Sequence, residues 1–136
     1  MKKKKSDSRV DLRPKVSLSK QKYIETIYKL QEKPRSNAHA HVKDIADELG
    51  IKMASVSGAA KSLEKKKLIK YSARRQISLT AEGMKMARTL NDKHRTLSVF
   101  FQQVLGCSPE RAEHFACEIE HIIDDDIRAR IAKLII

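Results

Sequence analysis

The chain has 136 residues, 40% of them apolar and 34% charged, with 4% aromatic and no Trp. That length suits one domain, or two small ones sharing a core built mainly on Leu, Ile, Val and Ala. A formal net charge of +12 and a pI near 9.9 point to a polyanionic partner, nucleic acid before a membrane surface. Two cysteines, Cys107 and Cys117, do not make a disulfide framework. No apolar run follows Lys2–Lys5, and nothing approaches the ~20 apolar residues of a membrane span, so the expected compartment is the cytoplasm.

The charge is divided along the chain. Residues 1–22 hold nine Lys/Arg against two Asp. Residues 52–76 hold eight (Lys52, Lys61, Lys65, Lys66, Lys67, Lys70, Arg74, Arg75) against Glu64 alone, whereas residues 107–136 hold seven Asp/Glu against four Lys/Arg. Residues 1–16 read as a basic arm with nothing apolar to bury. Ser17 or Ser19 then caps an amphipathic helix of about four turns, in which Tyr23, Ile24, Ile27, Tyr28 and Leu30 recur at near-helical spacing. Pro34 and Arg35-Ser36-Asn37 end it. His39-Ala40-His41 falls in the next connection and reads as loop rather than as a metal-binding pair.

Val42–Leu49 follows as a short helix with Ile45, Ala46 and Leu49 on one face. Gly50 stands where a left-handed turn residue is wanted, and Ile51 reads as the apolar anchor of the turn. A second helix runs from about Met53 to Lys65, with Val56, Ala60 and Leu63 as its buried stripe. Its other face carries Ala54, Ser55, Ser57, Gly58, Lys61 and Ser62, small or basic side chains suited to a groove about 12 Å wide. Tyr71, Ala73, Ile77 and Leu79 alternate about Arg74-Arg75-Gln76 as a two-stranded hairpin with a basic tip. Thr80 caps a long helix to about Leu105, and Gly106 stops it. Ser108 and Pro109 start a further helix reaching about Ile123. Asp124–Asp126 introduces a last short one ending at Ile136. No internal repeat is visible.

Helix, tight turn, helix and hairpin are the order of a winged helix-turn-helix. The expected DNA contacts are Lys52, Ala54, Ser55, Ser57, Gly58 and Lys61 on the second helix, and Arg74 and Arg75 on the wing. Lys65, Lys66 and Lys67 address phosphates or solvent.

The chain resembles the diphtheria-toxin-repressor and manganese-transport-regulator family of metal-responsive repressors. The likeness is carried by Tyr23-Ile24-Glu25-Thr26-Ile27-Tyr28-Lys29-Leu30, Asp44-Ile45-Ala46-Asp47-Glu48-Leu49-Gly50 and Ser55-Val56-Ser57. It continues through Leu79-Thr80-Ala81-Glu82-Gly83, His94-Arg95, Phe100, Val104-Leu105-Gly106 and Ala116-Cys117-Glu118-Ile119-Glu120-His121. It covers roughly residues 17–130, and the size is like the shorter, two-domain branch. The resemblance implies a mainly α protein: a winged helix-turn-helix domain over 17–80, then an α-helical dimerisation and metal-binding domain over 81–136. It also implies a homodimer that binds an operator in double-stranded DNA when loaded with Fe2+ or Mn2+. Expected dimer residues are Phe100, Phe101, Ile122, Ile123 and the Ile131–Ile136 segment.

By the same resemblance Glu25, His94, Cys117, Glu120 and His121 match family ligands, and Glu113 an ancillary ligand of the iron-responsive branch. Cys117 also follows that branch, since the manganese branch has a carboxylate there. The residues agree in part: Glu113, Cys117, Glu120 and His121 form one stripe at i, i+4, i+7 and i+8, a donor set suited to a borderline transition metal. Two positions depart from the family. Lys22 stands where it has an Asp or Met ligand, and a protonated amine cannot ligate. Ser98 stands where iron-responsive members have a Glu. Two outcomes are therefore open: one reduced metal site, or an ion pair of Lys22 with Glu120 or Glu25 in place of the metal. Gly58 and Gln76 depart on the DNA face, so no operator sequence is carried over.

Two other functions compete. One is a metal-independent winged-helix regulator of the multiple-antibiotic-resistance type, sensing a small molecule or oxidation at Cys117. The other is a small metalloenzyme using Glu120 and His121, but the chain has no recognisable nucleophile, Gly-rich phosphate loop or His-Glu-x-x-His motif.

Overall fold

The computed structural model describes residues 16–34 and 37–135. The basic arm expected over 1–16 lies outside the described residues except for Val16, as does Ile136. Helix α1 spans Leu18–Gln31, and the Ser17 hydroxyl accepts the Lys20 N–H at 3.4 Å to cap it. Its Ile24, Ile27 and Leu30 are buried. Helix α2 (Val42–Leu49) ends at Gly50, whose φ of 67° supplies the left-handed turn that a side chain would resist. Helix α3 (Met53–Lys65) buries Val56, Ala60 and Leu63, the stripe expected of it. Ile51 is not the anchor of the turn, because it is 37% exposed; its backbone N–H to Ala46 O, at 3.0 Å, closes the turn instead.

The sheet has three antiparallel strands, not two. Strands β2 (Ile69–Tyr71) and β3 (Gln76–Leu79) form the expected hairpin, and β1 (Ala40–His41) pairs on the far edge of β3. In register, Ala40 faces Ile77 across β1–β3, and Tyr71 faces Ile77 across β2–β3. A two-residue strand shows no alternation, which is why this piece reads as loop in the sequence.

Helix α4 (Ala81–Gln103) has 23 residues and spans about 35 Å. Thr80 joins it to the wing, accepting the Gly83 N–H at 3.1 Å and donating to Lys67 O at 2.7 Å. A Cβ on Gly83 would stand 2.1 Å from Leu68 O, so only glycine allows α4 this close. Helix α5 (Pro109–Ile119) starts on the Ser108 cap and stops four residues short of the expected Ile123. Helix α6 (Asp125–Ala132) starts on the Asp124 cap and ends before Ile136.

One hydrophobic core joins α1, α2, α3, the sheet and the first turns of α4 through Ala87. Leu90, Leu97, Ala112 and Ala116 are buried beyond it, and the small alanines let α5 lie close along α4. Phe101 and Phe115 pack at 5.8 Å at the far end of that pair. No helix among the described residues is long and apolar enough to cross a membrane.

Candidate nucleic-acid interface and metal centre

Lys52, at the N-cap of α3, and Ala54, Ser55, Gly58 and Lys61 on the helix are exposed together, and Lys65, Lys66 and Lys67 continue the basic surface. Ser57 differs from the rest of that group. It is half-buried, and its hydroxyl lies 3.3 Å from the Tyr71 hydroxyl. The Tyr71 backbone N–H donates to Glu64 Oε2 at 3.0 Å. Helix α3 is thereby braced against strand β2. Tyr71 carries no sign of this in the sequence beyond its place in an alternating strand.

Arg74 and Arg75 are both exposed at the hairpin tip. Arg75 has φ 59°, a conformation that favours glycine. The turn closes by Arg75 N–H to Ser72 O at 3.1 Å and Ser72 N–H to Gln76 O at 3.0 Å. The Arg75 carbonyl also accepts the Val42 N–H at 3.1 Å, which ties the wing to the start of α2.

The second cluster draws on three elements. His94 comes from α4, Glu113 and Cys117 from α5, Glu120 and His121 from the turn that ends α5, and Glu25 from α1. Their donor atoms form two triads, His94/Glu113/Cys117 and Glu25/Glu120/His121, each within 4.8 Å of one another. His94 links them, with Nδ1 2.6 Å from Glu120 Oε1 and Nε2 2.9 Å from Glu113 Oε2. Cys117 Sγ lies 3.8 Å from Glu113 Oε2. His121 Nε2 lies 3.4 Å from Glu25 Oε1 and 3.5 Å from Glu120 Oε2. A cavity of about 230 Å³, lined by Glu25, His94, Glu113 and Cys117 among others, opens beside the first triad.

The electrostatics show a site crowded with anionic groups. Glu120 is 0% exposed, and its Oε2 has no hydrogen bond among the described residues. Burial, then the nearby Glu120 carboxylate, pushes Glu25 up to about 8. The hydrogen bond to Glu120 raises His94 to about 9 against the opposing effect of burial. Burial, then the charges of Glu113 and Glu120, pushes the Cys117 thiol up to about 11. Burial opposes ionisation of Glu120 itself, but the hydrogen bond with His94 and the other close groups outweigh it and hold it below the ordinary value. Burial lowers His121, with Lys22 adding to the effect.

The departing residues stand apart. Lys22 is exposed and, among the described residues, makes no ion pair with Glu25 or Glu120. Ser98 accepts a hydrogen bond from Gln102 on its own helix at 3.3 Å. His39 and His41 belong to neither triad; with Asp44, Asp47 and Glu48 they line a separate open cavity of about 490 Å³. Sequence reasoning missed Gln21, which is 7% exposed and lies against His121.

Comparison with known proteins gives one consistent result. Residues 15–77 match the iron dependent repressor N-terminal DNA binding domain. Residues 80–135 match the iron dependent repressor metal binding and dimerisation domain. The chain is 31% identical over 116 residues to an HTH-type transcriptional regulator of Methanocaldococcus jannaschii, covering 85% of this chain and 91% of that one. It is 32% identical over 117 residues to the regulator MntR of Listeria monocytogenes, covering 86% and 80%. With the iron-dependent repressor IdeR of Mycobacterium leprae it shares 27% identity, over 83% of this chain and 48% of that longer one. Among solved structures, a manganese-dependent transcriptional repressor in complex with manganese superposes with a TM-score of 0.73 at 25% identity, over 85% of this chain and 51% of that one. A Sulfolobus solfataricus protein of similar length shares the fold, with a TM-score of 0.69 at 22% identity and 88% of each chain covered.

Proposed function

Because the chain belongs to the iron-dependent repressor family, we propose that Glu25, His94, Glu113, Cys117, Glu120 and His121 hold the divalent cation, Fe2+ or Mn2+, that switches its DNA binding on. The protein is a metal-dependent transcriptional repressor with a DNA-binding and a dimerisation region. We assign residues 17–80 to the first and 81–136 to the second. On the DNA side, Lys52, Ala54, Ser55, Gly58 and Lys61 face the major groove and Arg74 and Arg75 the backbone, while Ser57 holds the wing against the helix. We assign it to the cytoplasm, in keeping with relatives named as transcriptional regulators. We assign it no catalysis, since the relatives are named as regulators.

The observation that carries the metal reading is Glu120: a fully buried carboxylate with an oxygen lacking any hydrogen bond among the described residues, set between two triads. His94 pairs with Oε1 at 2.6 Å, but a buried carboxylate oxygen without a hydrogen bond is costly, and a cation at Oε2 would complete it. The donor set fits. Imidazoles, carboxylates and a thiol suit a borderline first-row ion, and a bound cation would supply the positive charge whose absence favours protonation of His94 and Glu25.

The placement of the donors gives the switch its direction. Glu25 belongs to α1, whose other face is core to the winged helix, while the remaining donors belong to α4 and the α5 region. Drawing Glu25 toward Glu120 and His121 fixes the DNA-binding part against the helical part. In a homodimer that sets the separation of the two α3 helices and favours one DNA-competent arrangement. Val104, Leu105, Ile122, Ile127 and Leu134 are exposed in the helical part, so the dimer face includes Val104, Leu105 and Ile127 besides the expected Ile122 and Leu134.

The test is fluorescence anisotropy with a duplex selected from a random library, comparing chelator with Fe2+, Mn2+, Co2+ and Zn2+. Binding should appear only with metal. Binding equal in all conditions would refute the metal switch and leave the DNA assignment standing. The redox alternative at Cys117 is disfavoured, because a thiol pushed up to about 11 is the opposite of a reactive, thiolate-rich cysteine.

A further inference from the structure

A histidine that ligates a metal must present a lone pair, and a neutral imidazole has only one. Which nitrogen keeps it depends on what the other one donates to. His121 is buried, with its side chain 4% exposed and Nε2 toward Glu25 and Glu120. Its Nδ1 lies 2.6 Å from Gln21 Oε1. Gln21 itself is fixed at the other end, its Nε2 donating to Val16 O at 2.8 Å. A carbonyl oxygen can only accept, so the amide nitrogen must face Val16 and the amide oxygen must face His121. That leaves Nδ1 as the protonated nitrogen and Nε2 with the lone pair.

We propose that Gln21 is a positioning residue of the metal centre: its carboxamide, locked by Val16, holds His121 in the Nδ1–H tautomer with Nε2 aimed between Glu25 and Glu120. The inference rests on the metal-centre reading above. It also changes which face of α1 matters. Gln21 and Glu25 are one helical turn apart and share a face, so α1 meets the centre through positions 21 and 25. Lys22, at the position where the resemblance implies a ligand, points to solvent. Gln21 thus couples Val16, two residues before α1, to the donor geometry, in the way outer hydrogen-bond partners orient metal-bound histidines.

The experiment has two readouts. Long-range 15N–1H NMR of metal-free protein reports the His121 tautomer directly. Titration with Mn2+ against a competing chelator reports affinity. Wild type should show the Nδ1–H form. Gln21→Leu should lose that preference and bind Mn2+ about 10–100-fold more weakly. Gln21→Glu keeps the acceptor at the same reach but has no N–H for Val16 O, so it should restore the Nδ1–H form without restoring the full Mn2+ affinity, a split that a purely structural role for the side chain does not give. Circular dichroism confirms that each variant is folded. An Nε2–H tautomer in the wild type, or unchanged Mn2+ affinity in a folded Gln21→Leu variant, overturns the assignment of Gln21 alone. A wild type that binds none of the four metals overturns the metal-centre reading and this assignment with it.

Discussion

Arg75→Gly should make the protein more stable and a poorer DNA binder. Arg75 sits at φ 59°, where a residue with a Cβ is less favourable by about 1–2 kcal/mol. Glycine removes that strain but adds freedom to the unfolded chain, worth about 0.5–1 kcal/mol in the other direction. The turn bonds from Arg75 N–H to Ser72 O and from Val42 N–H to Arg75 O use only the backbone, so glycine keeps them. The net gain is about 0.5–1 kcal/mol, a rise of a few degrees in melting temperature for a chain of this size. Loss of one guanidinium from the wing should lower the slope of log affinity against log salt by about 0.9, one phosphate contact. The assay pairs thermal melts with anisotropy at four salt concentrations. A lower melting temperature would refute the strain argument. An unchanged salt slope would show that Arg75 does not touch the backbone.

The other predictions concern packing and the metal centre. Gly83→Ala places a Cβ 2.1 Å from Leu68 O, and should cost about 1–3 kcal/mol by urea titration as α4 is pushed off the wing. Glu120→Gln removes the carboxylate between the two triads, and its loss of Mn2+ affinity in chelator competition should exceed the about 10–100-fold typical of an outer hydrogen-bond partner. The metal-free protein should lose stability from pH 7 to 9. His94 is raised to about 9 and Glu25 to about 8, so the folded state there holds protons that the unfolded chain has released. The His94 contribution is full below about 6.5 and lost as pH rises through its folded value. The lowered value of His121 acts only below about 6.5. Mn2+ should tighten over the same interval, because the donors must shed those protons; melts with and without Mn2+ at pH 7, 8 and 9 should diverge.

The recognition unit was legible because its cues are local. Gly50, the Val56/Ala60/Leu63 stripe and the Thr80 cap each declare themselves within one or two turns of helix. The residues we propose as metal donors were named from the resemblance and from an i, i+4, i+7, i+8 spacing that starts on α5 and ends in the turn after it. What stayed hidden depends on distant partners. Gln21 reads as an ordinary polar helix residue until His121, 100 residues later in the chain, is brought against it. Ser57 looks like a free hydroxyl until Tyr71 returns on β2. Strand β1 has too few residues for a period, and the end of α5 has no glycine or proline to mark it.

Helix α1 is a single rod of 14 residues with two owners: Ile24, Ile27 and Leu30 in the core, and Gln21 and Glu25 at the donors. Adjacent residues thus answer to different pressures, packing on one side and ion affinity on the other. On the proposed metal centre, the metal concentration at which the switch trips can therefore be reset without altering any donor. Ile24 and Ile27 are buried in the core, so a methyl group added or removed there should shift α1 and with it the approach of Glu25 to Glu120. Variants with shifted metal thresholds should accordingly turn up among apolar interior positions, where a search confined to ligands would miss them.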